Sequence, residues 1–119
     1  MTHTVLVVED EKELREMMCE ALEMNGYDVV AAVEGEAALE ALDRLDHVCL
    51  VLLDLLMPGM NGWDFFKEMR SRSRYAAVPV IVHSSSTAGA PQGATRVLTK
   101  PLELERLLDV VREFCAPVT

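Results

Sequence analysis

Apolar positions along this chain follow two rhythms in alternation. In "TVLVVED" (4–10) and "HVCLVLLD" (47–54) they run nearly unbroken and stop at an acid, as strands buried on both faces of a parallel sheet do. "YDVVAAV" (27–33), "VPVIVHS" (78–84) and the weaker "TRVLTK" (95–100) repeat the pattern. Between these runs the spacing changes to three and four. Leu14, Met17, Met18, Ala21 and Leu22 predict a helix that Gly26 closes; Ala38, Leu39, Leu42 and Leu45 predict a second, Trp63 to Met69 a third, and Leu104, Leu107, Leu108, Val111 and Phe114 a last one. Strands alternating with helices predict one α/β domain, a parallel sheet covered on both faces by right-handed crossovers. No repeat, low-complexity tail or linker interrupts residues 1–119.

In open parallel sheets ligands bind beyond the carboxyl ends of the strands. Here those ends carry Glu9 with Asp10, then Asp54, Ser84 and Lys100. An acid such as Asp54 at the end of a buried run loses hydration, a cost chains accept when the group is paired, metal-bound or used. Three carboxylates brought together repel one another and call for a hard divalent cation, and magnesium favours one or two carboxylates with water and phosphate oxygens. Asp54 then suits a nucleophile toward phosphorus, with the Lys100 ammonium and the Ser84 hydroxyl suited to phosphoryl oxygens. The chain has no "GxxxxGK" and no "GxG" after its first strand, so phosphate is expected from a donor and not from a nucleotide bound here.

Charge and cysteines narrow the partners. Twenty acidic against eleven basic residues give a formal charge of −9, which argues against direct binding to nucleic acid or an anionic membrane and suits a basic protein partner. Aromatics make up only 5% of the chain, so aliphatic residues and methionines must fill the core. Cys19, Cys49 and Cys115 are odd in number and far apart. With no signal-peptide pattern and no apolar stretch long enough to span a membrane, they are expected as reduced thiols in a cytoplasmic protein.

Over nearly its whole length the chain resembles the receiver domain of two-component response regulators. The resemblance rests on the acidic pair Glu9 and Asp10 in "VLVVEDE", Asp54 in "DLLMPGMNG", Ser84 closing the fourth strand, and the "KP" dipeptide of Lys100 and Pro101. It implies a flavodoxin-like, doubly wound sheet of five strands in the order 2-1-3-4-5. It further implies a single-domain receiver over 1–119 with no effector domain, taking a phosphoryl group from the phosphohistidine of a sensor histidine kinase or phosphotransfer protein onto Asp54. Mg2+ would be held by Asp10, Asp54 and the backbone carbonyl of Leu56, with Glu9 acting through water. The Lys100–Pro101 peptide is expected to be cis.

Plainer roles compete for several of these residues. Asp10 also suits an N-terminal helix cap, Ser85 rivals Ser84 as the hydroxyl donor, and His47 and His83 read as structural histidines before phosphate carriers. Two departures from the family stand out. Val97 occupies the position where members carry the switching aromatic, and only residues 85–95 separate the fourth strand from the fifth. Eleven residues are short for a crossover that takes about a dozen or more. Gly89, Pro91 and Gly93 oppose a helix there, by about 1 kcal/mol per glycine and 3 for proline. The fourth helix is therefore expected to be shortened or missing, leaving the family's usual output face incomplete.

These departures favour one alternative, a pseudo-receiver acting as a phosphorylation-independent scaffold. A small aspartyl-nucleophile phosphatase is a further alternative, but such enzymes carry a second acid two residues after the nucleophile, where this chain has Leu56. The phosphoacceptor reading is of a protein that is not a turnover enzyme. Bulky Leu56 is expected to shield the acyl phosphate from water, with small Ser86 leaving room on the other side.

Overall fold

The computed structural model describes residues 3–85 and 89–116. Five strands, β1 (Thr4–Val8), β2 (Asp28–Ala32), β3 (Leu50–Asp54), β4 (Val80–Ser84) and β5 (Arg96–Thr99), form one parallel sheet in the order β2-β1-β3-β4-β5. Four helices connect or follow them: α1 (Lys12–Met24), α2 (Gly35–Arg44), α3 (Gly62–Ser71) and α4 (Leu104–Phe114). This is the doubly wound arrangement expected from the sequence.

Strand periodicity sorts the apolar residues onto two faces. Leu6, Val8, Val51, Leu53, Val80 and Val82 pack with Leu42 of α2 and with Phe65, Phe66 and Met69 of α3. Their neighbours Val5, Val7, Leu50, Leu52, Ile81 and Leu98 pack with Met18 and Leu22 of α1 and with Leu107 and Val111 of α4. Both faces of the central strands are buried, which is why those strands read as continuous apolar runs.

Local signals set the helix ends. The Glu34 and Asn61 side chains accept from the N–H groups of Ala37 and Asp64, at 2.6 and 2.9 Å, and cap α2 and α3. Gly26 turns the chain after α1 at a φ of 90°. Asp10 is not the cap of α1; that position falls to Glu11, which makes no side-chain capping bond.

The crossover from β4 to β5 carries no helix among its described residues, so the chain's fourth helix is the one after β5. Residues 86–88 lie outside the described residues, Ser86 among them. In place of a helix, Ala90 and Ala94 pack against the α2–α3 side of the core. The Thr95 N–H bonds the Val80 carbonyl at 2.8 Å, and the Trp63 Nε1–H of α3 donates to the Gly89 carbonyl at 2.6 Å. One flank of β5 is thereby left uncovered, and Val97 is 38% exposed.

The cysteines correct an expectation. Cys49, just before β3, and Cys115, just after α4, form a disulfide with Cα atoms 5.8 Å apart; Cys19 alone is a free thiol. The two lie 66 positions apart in sequence. They meet because β3 and α4 both lie against the same side of the core at the amino-terminal edge of the sheet, a tertiary coincidence that spacing does not reveal.

Candidate functional site

Parallel register places the strand-end residues side by side. Val8 pairs with Leu53, which sets Glu9 beside Asp54, and Asp54 pairs directly with His83. Lys100 follows β5 by one residue, across a cis Lys100–Pro101 peptide. Glu9, Asp54 and His83 are buried, and Asp10 at the mouth is exposed. One carboxylate oxygen from each of Glu9, Asp10 and Asp54 lies within 4.8 Å of the others. The Lys100 Nζ stands 2.9 Å from Glu9 Oε1 and 3.5 Å from Asp54 Oδ2.

Backbone groups hold these side chains in place. The Glu11 N–H donates to Glu9 Oε2 at 3.0 Å, and the Leu56 N–H reaches Asp54 Oδ1 at 3.4 Å. Arg15, one turn into α1, donates to the carbonyls of Glu9 and Asp10 at 3.0 and 3.2 Å and so fixes the loop that presents both acids. After Asp54 the chain folds back so that the Gly62 N–H bonds the Leu55 carbonyl at 3.0 Å. A Cβ at Gly62 would collide with the Asp54 carbonyl oxygen, so α3 begins directly against the backbone of Asp54.

The loop between β3 and α3 is tied from its other side. The Glu34 carboxylate that caps α2 also meets the Met60 N–H at 3.4 Å, and the Gly35 N–H bonds the Met60 carbonyl at 3.0 Å. Ser84 is buried at the end of β4, its carbonyl accepting from the Lys100 N–H at 2.9 Å; Ser85 is exposed and lines a groove with Lys100 and Glu11. Leu56 is 53% exposed beside Asp54.

The electrostatics are those of an unneutralised acidic site. Burial pushes Glu9 up to about 7; Asp54 adds to that rise, against the Glu11 N–H and Lys100. Burial likewise raises Asp54, with Lys100 and the Leu56 N–H pulling the other way. Burial acts to lower Lys100, but Glu9 and Asp54 outweigh it and leave the ammonium held above its usual range. His83 is driven down to about 3 by burial and then by Lys100, so its ring is neutral. Among the described residues, both nitrogens of His83 are buried without a hydrogen-bond partner, and buried Glu9 Oε1 meets the Lys100 ammonium as an ion pair without a well-directed donor.

Three converging carboxylates, one with a buried oxygen lacking a directed donor, fit a hard divalent cation such as Mg2+. Carboxylates facing one ammonium also fit an incoming phosphoryl group, whose oxygens the ammonium can meet.

The sequence profile of the response regulator receiver domain matches residues 5–112. The chain belongs to that family. Receiver domains of this family are phosphoacceptors. Among its relatives, the sensory transduction protein RegX3 of Mycobacterium tuberculosis is 35% identical over 112 residues, covering 92% of this chain and 49% of the relative. The transcriptional regulatory protein CpxR of Escherichia coli is 35% identical over 111 residues, covering 91% and 47%. The receiver thus spans about half the length of the curated relatives it matches.

Among solved structures, the chemotaxis protein CheY4 of Vibrio cholerae matches with a TM-score of 0.88 at 29% identity, over 96% of this chain and 99% of that one. The response regulator TrrA of Thermotoga maritima, solved in complex with Mg(2+)-BeF, matches with a TM-score of 0.82 at 27% identity over 95% and 98%.

Sequence reasoning missed Arg15, which left no signal beyond its position one turn into the first helix. It read His83 as a structural histidine inside the apolar run of the fourth strand and did not place it beside Glu9 and Asp54.

Proposed function

We propose that this receiver takes a phosphoryl group onto Asp54 from the phosphohistidine of a sensor histidine kinase or a phosphotransfer protein, and signals through protein contacts. The observation that carries the reading is the convergence of Asp54 with Glu9, Asp10 and Lys100. An Asp54 carboxylate oxygen forms the new O–P bond while the N–P bond of the donor breaks, its electron pair returning to the imidazole ring. The product is an aspartyl phosphate.

Asp10, Asp54 and the Leu56 carbonyl would hold Mg2+, with Glu9 reaching it through water. When bound, the cation offsets the charge of the carboxylates and of the phosphoryl oxygens. Lys100 compensates charge at the same oxygens, and Ser84 supplies a hydroxyl donor from the end of β4. The exposed Leu56 side chain flanks the approach of water, so the protein turns over slowly on its own and is not an enzyme in the ordinary sense.

The acidic net charge supports a protein partner over nucleic acid, and none of the described helices is long and apolar enough to cross a membrane. We place the domain in the cytoplasm, where such a donor kinase presents its phosphohistidine.

Incubation with acetyl phosphate and Mg2+ tests the reading. One phosphoryl group is expected per chain in the wild type and none in Asp54→Asn; equal labelling of both proteins overturns it. The crossover, helix-free among its described residues, and exposed Val97 favour a scaffold as the second reading, and complete absence of labelling with an intact fold would select it. Multiple turnover of the phosphate donor would select a phosphatase.

A further inference from the structure

Lys100 serves two carboxylates at once. Its ammonium lies 2.9 Å from Glu9 Oε1 and 3.5 Å from Asp54 Oδ2. A phosphoryl group on Asp54 would add anionic oxygens on that side and draw the ammonium toward them. Glu9 cannot follow, because it is fully buried and its other oxygen is held by the Glu11 N–H at 3.0 Å. An ionised carboxylate oxygen that loses its partner in the interior is costly, so something must replace the lysine if the phosphorylated state is to persist.

One unused group is in place. His83 Nδ1 lies 3.5 Å from the same Glu9 Oε1, and no hydrogen bond joins them in this state. The ring is wholly buried, and neither nitrogen has a hydrogen-bond partner among the described residues. A buried imidazole with both nitrogens unused is rare in a settled core. We propose that His83 is a positioning residue for Glu9: its neutral imidazole, carrying its proton on Nδ1, becomes the hydrogen-bond donor to Glu9 Oε1 when Lys100 turns toward a phosphoryl group on Asp54.

The chemistry of the ring suits that exchange. With the proton on Nδ1, Nε2 is a bare acceptor, which is less costly to leave unpaired than an N–H group. No charge moves, since the ring is neutral before and after, so the site keeps Lys100 as its cation. Only a small closing motion is needed, from 3.5 Å to the usual N–H···O distance of about 2.9 Å. This role rests on the phosphoacceptor reading and deepens it, assigning to the fourth strand a part in holding the outer acid of the metal site.

The test uses the intact chain at about pH 8, where Glu9 is ionised, with beryllofluoride and Mg2+ as the phosphoryl probe and Mg2+ alone as its control. Nitrogen-15 NMR of the wild-type histidine rings reads the proposal directly. On adding beryllofluoride, the His83 Nδ1–H proton is expected to move downfield while the ring remains neutral. His83→Leu removes the donor and is expected to weaken beryllofluoride binding about tenfold, the worth of one hydrogen bond to a charged group, and to weaken Mg2+ binding less. His83→Gln keeps an N–H donor and is expected to restore most of the loss.

An Nδ1–H signal that does not respond to bound beryllofluoride overturns the proposal, and so does a His83→Leu protein that binds it as tightly as the wild type. Equal losses in the leucine and glutamine variants also overturn it, by showing that packing alone is at stake. Should His83→Leu not fold, the wild-type ring signal still decides. A wild type that binds Mg2+ but not beryllofluoride removes the phosphoacceptor reading itself and this inference with it, a result distinct from each of the others.

Discussion

The two edges of the sheet treat their polar groups in opposite ways. At the amino-terminal edge the chain is tied: Cys49 is bonded to Cys115, the Tyr27 hydroxyl donates to the Cys115 carbonyl at 2.8 Å, and His3 Nδ1 donates to the Ala116 carbonyl at 2.6 Å. At the carboxyl edge, two residues of a buried row, Glu9 and His83, keep side-chain atoms without directed partners, and burial raises the two carboxyls of that row. The same strands supply both edges. The difference separates an edge where polar groups are paired from one where burial leaves them at a cost.

The largest effect should come from cutting the tied edge. The disulfide closes a loop between residues 66 positions apart, for which the chain-entropy account gives about 4 kcal/mol of stabilisation. Urea unfolding with and without reductant should therefore differ by roughly that amount in the wild type and not at all in Cys49→Ser/Cys115→Ser. If the wild type ignores reductant, this edge is held by packing alone.

Acid should single out the other edge. His83 has a folded-state value of about 3 against about 6.5 unfolded, so the unfolded chain binds more protons, and stability is lost as pH falls from 6.5 toward 3. Glu9 has a folded value of about 7 against an ordinary 4.5, so its contribution is complete below 4.5 and lost as pH rises through 7. Between about 4.5 and 6.5 the two slopes oppose; below that Glu9 drops out and His83 contributes about 1.4 kcal/mol per pH unit. In the absence of metal, His83→Leu should lose stability less steeply than the wild type below about pH 4.5, and parallel curves would show that the ring does not titrate on unfolding.

Neutralising the acidic row should raise stability. Asp54→Asn relieves a buried charge facing a second carboxylate and is expected to gain on the order of 1 kcal/mol in metal-free buffer, measured by the denaturation midpoint. A loss would mean that Asp54 is already compensated at rest. The smallest effect belongs to the crossover. Trp63→Phe removes the bond to the Gly89 carbonyl and should cost about 1 kcal/mol, with faster amide exchange in the described part of 89–95 and little change in α4.

Much of this was legible in the sequence because it follows from local rules. Buried strands show as apolar runs, the strand ends name Glu9, Asp10, Asp54, Ser84 and Lys100, and glycine and proline in 85–95 forbid a helix. What stayed hidden depends on neighbours across the sheet. The Cys49–Cys115 pairing needs the tertiary position of the last helix. The place of His83 beside Asp54 needs the β3–β4 register, since in the linear chain it is only a polar residue among valines. Trp63 was assigned to a helix correctly, but its partner lies 26 positions away on another connection.

Gly62 gives the site a mechanical property. Because its missing side chain lets the first turn of α3 rest on the carbonyl of Asp54, with the Leu55 carbonyl bonded across the same joint, there is little slack between Asp54 and the helix. The first turns of α3 also carry Trp63 and Phe66 to Gly89 and Gly93, which joins the backbone of Asp54 through α3 to the described part of the β4–β5 crossover.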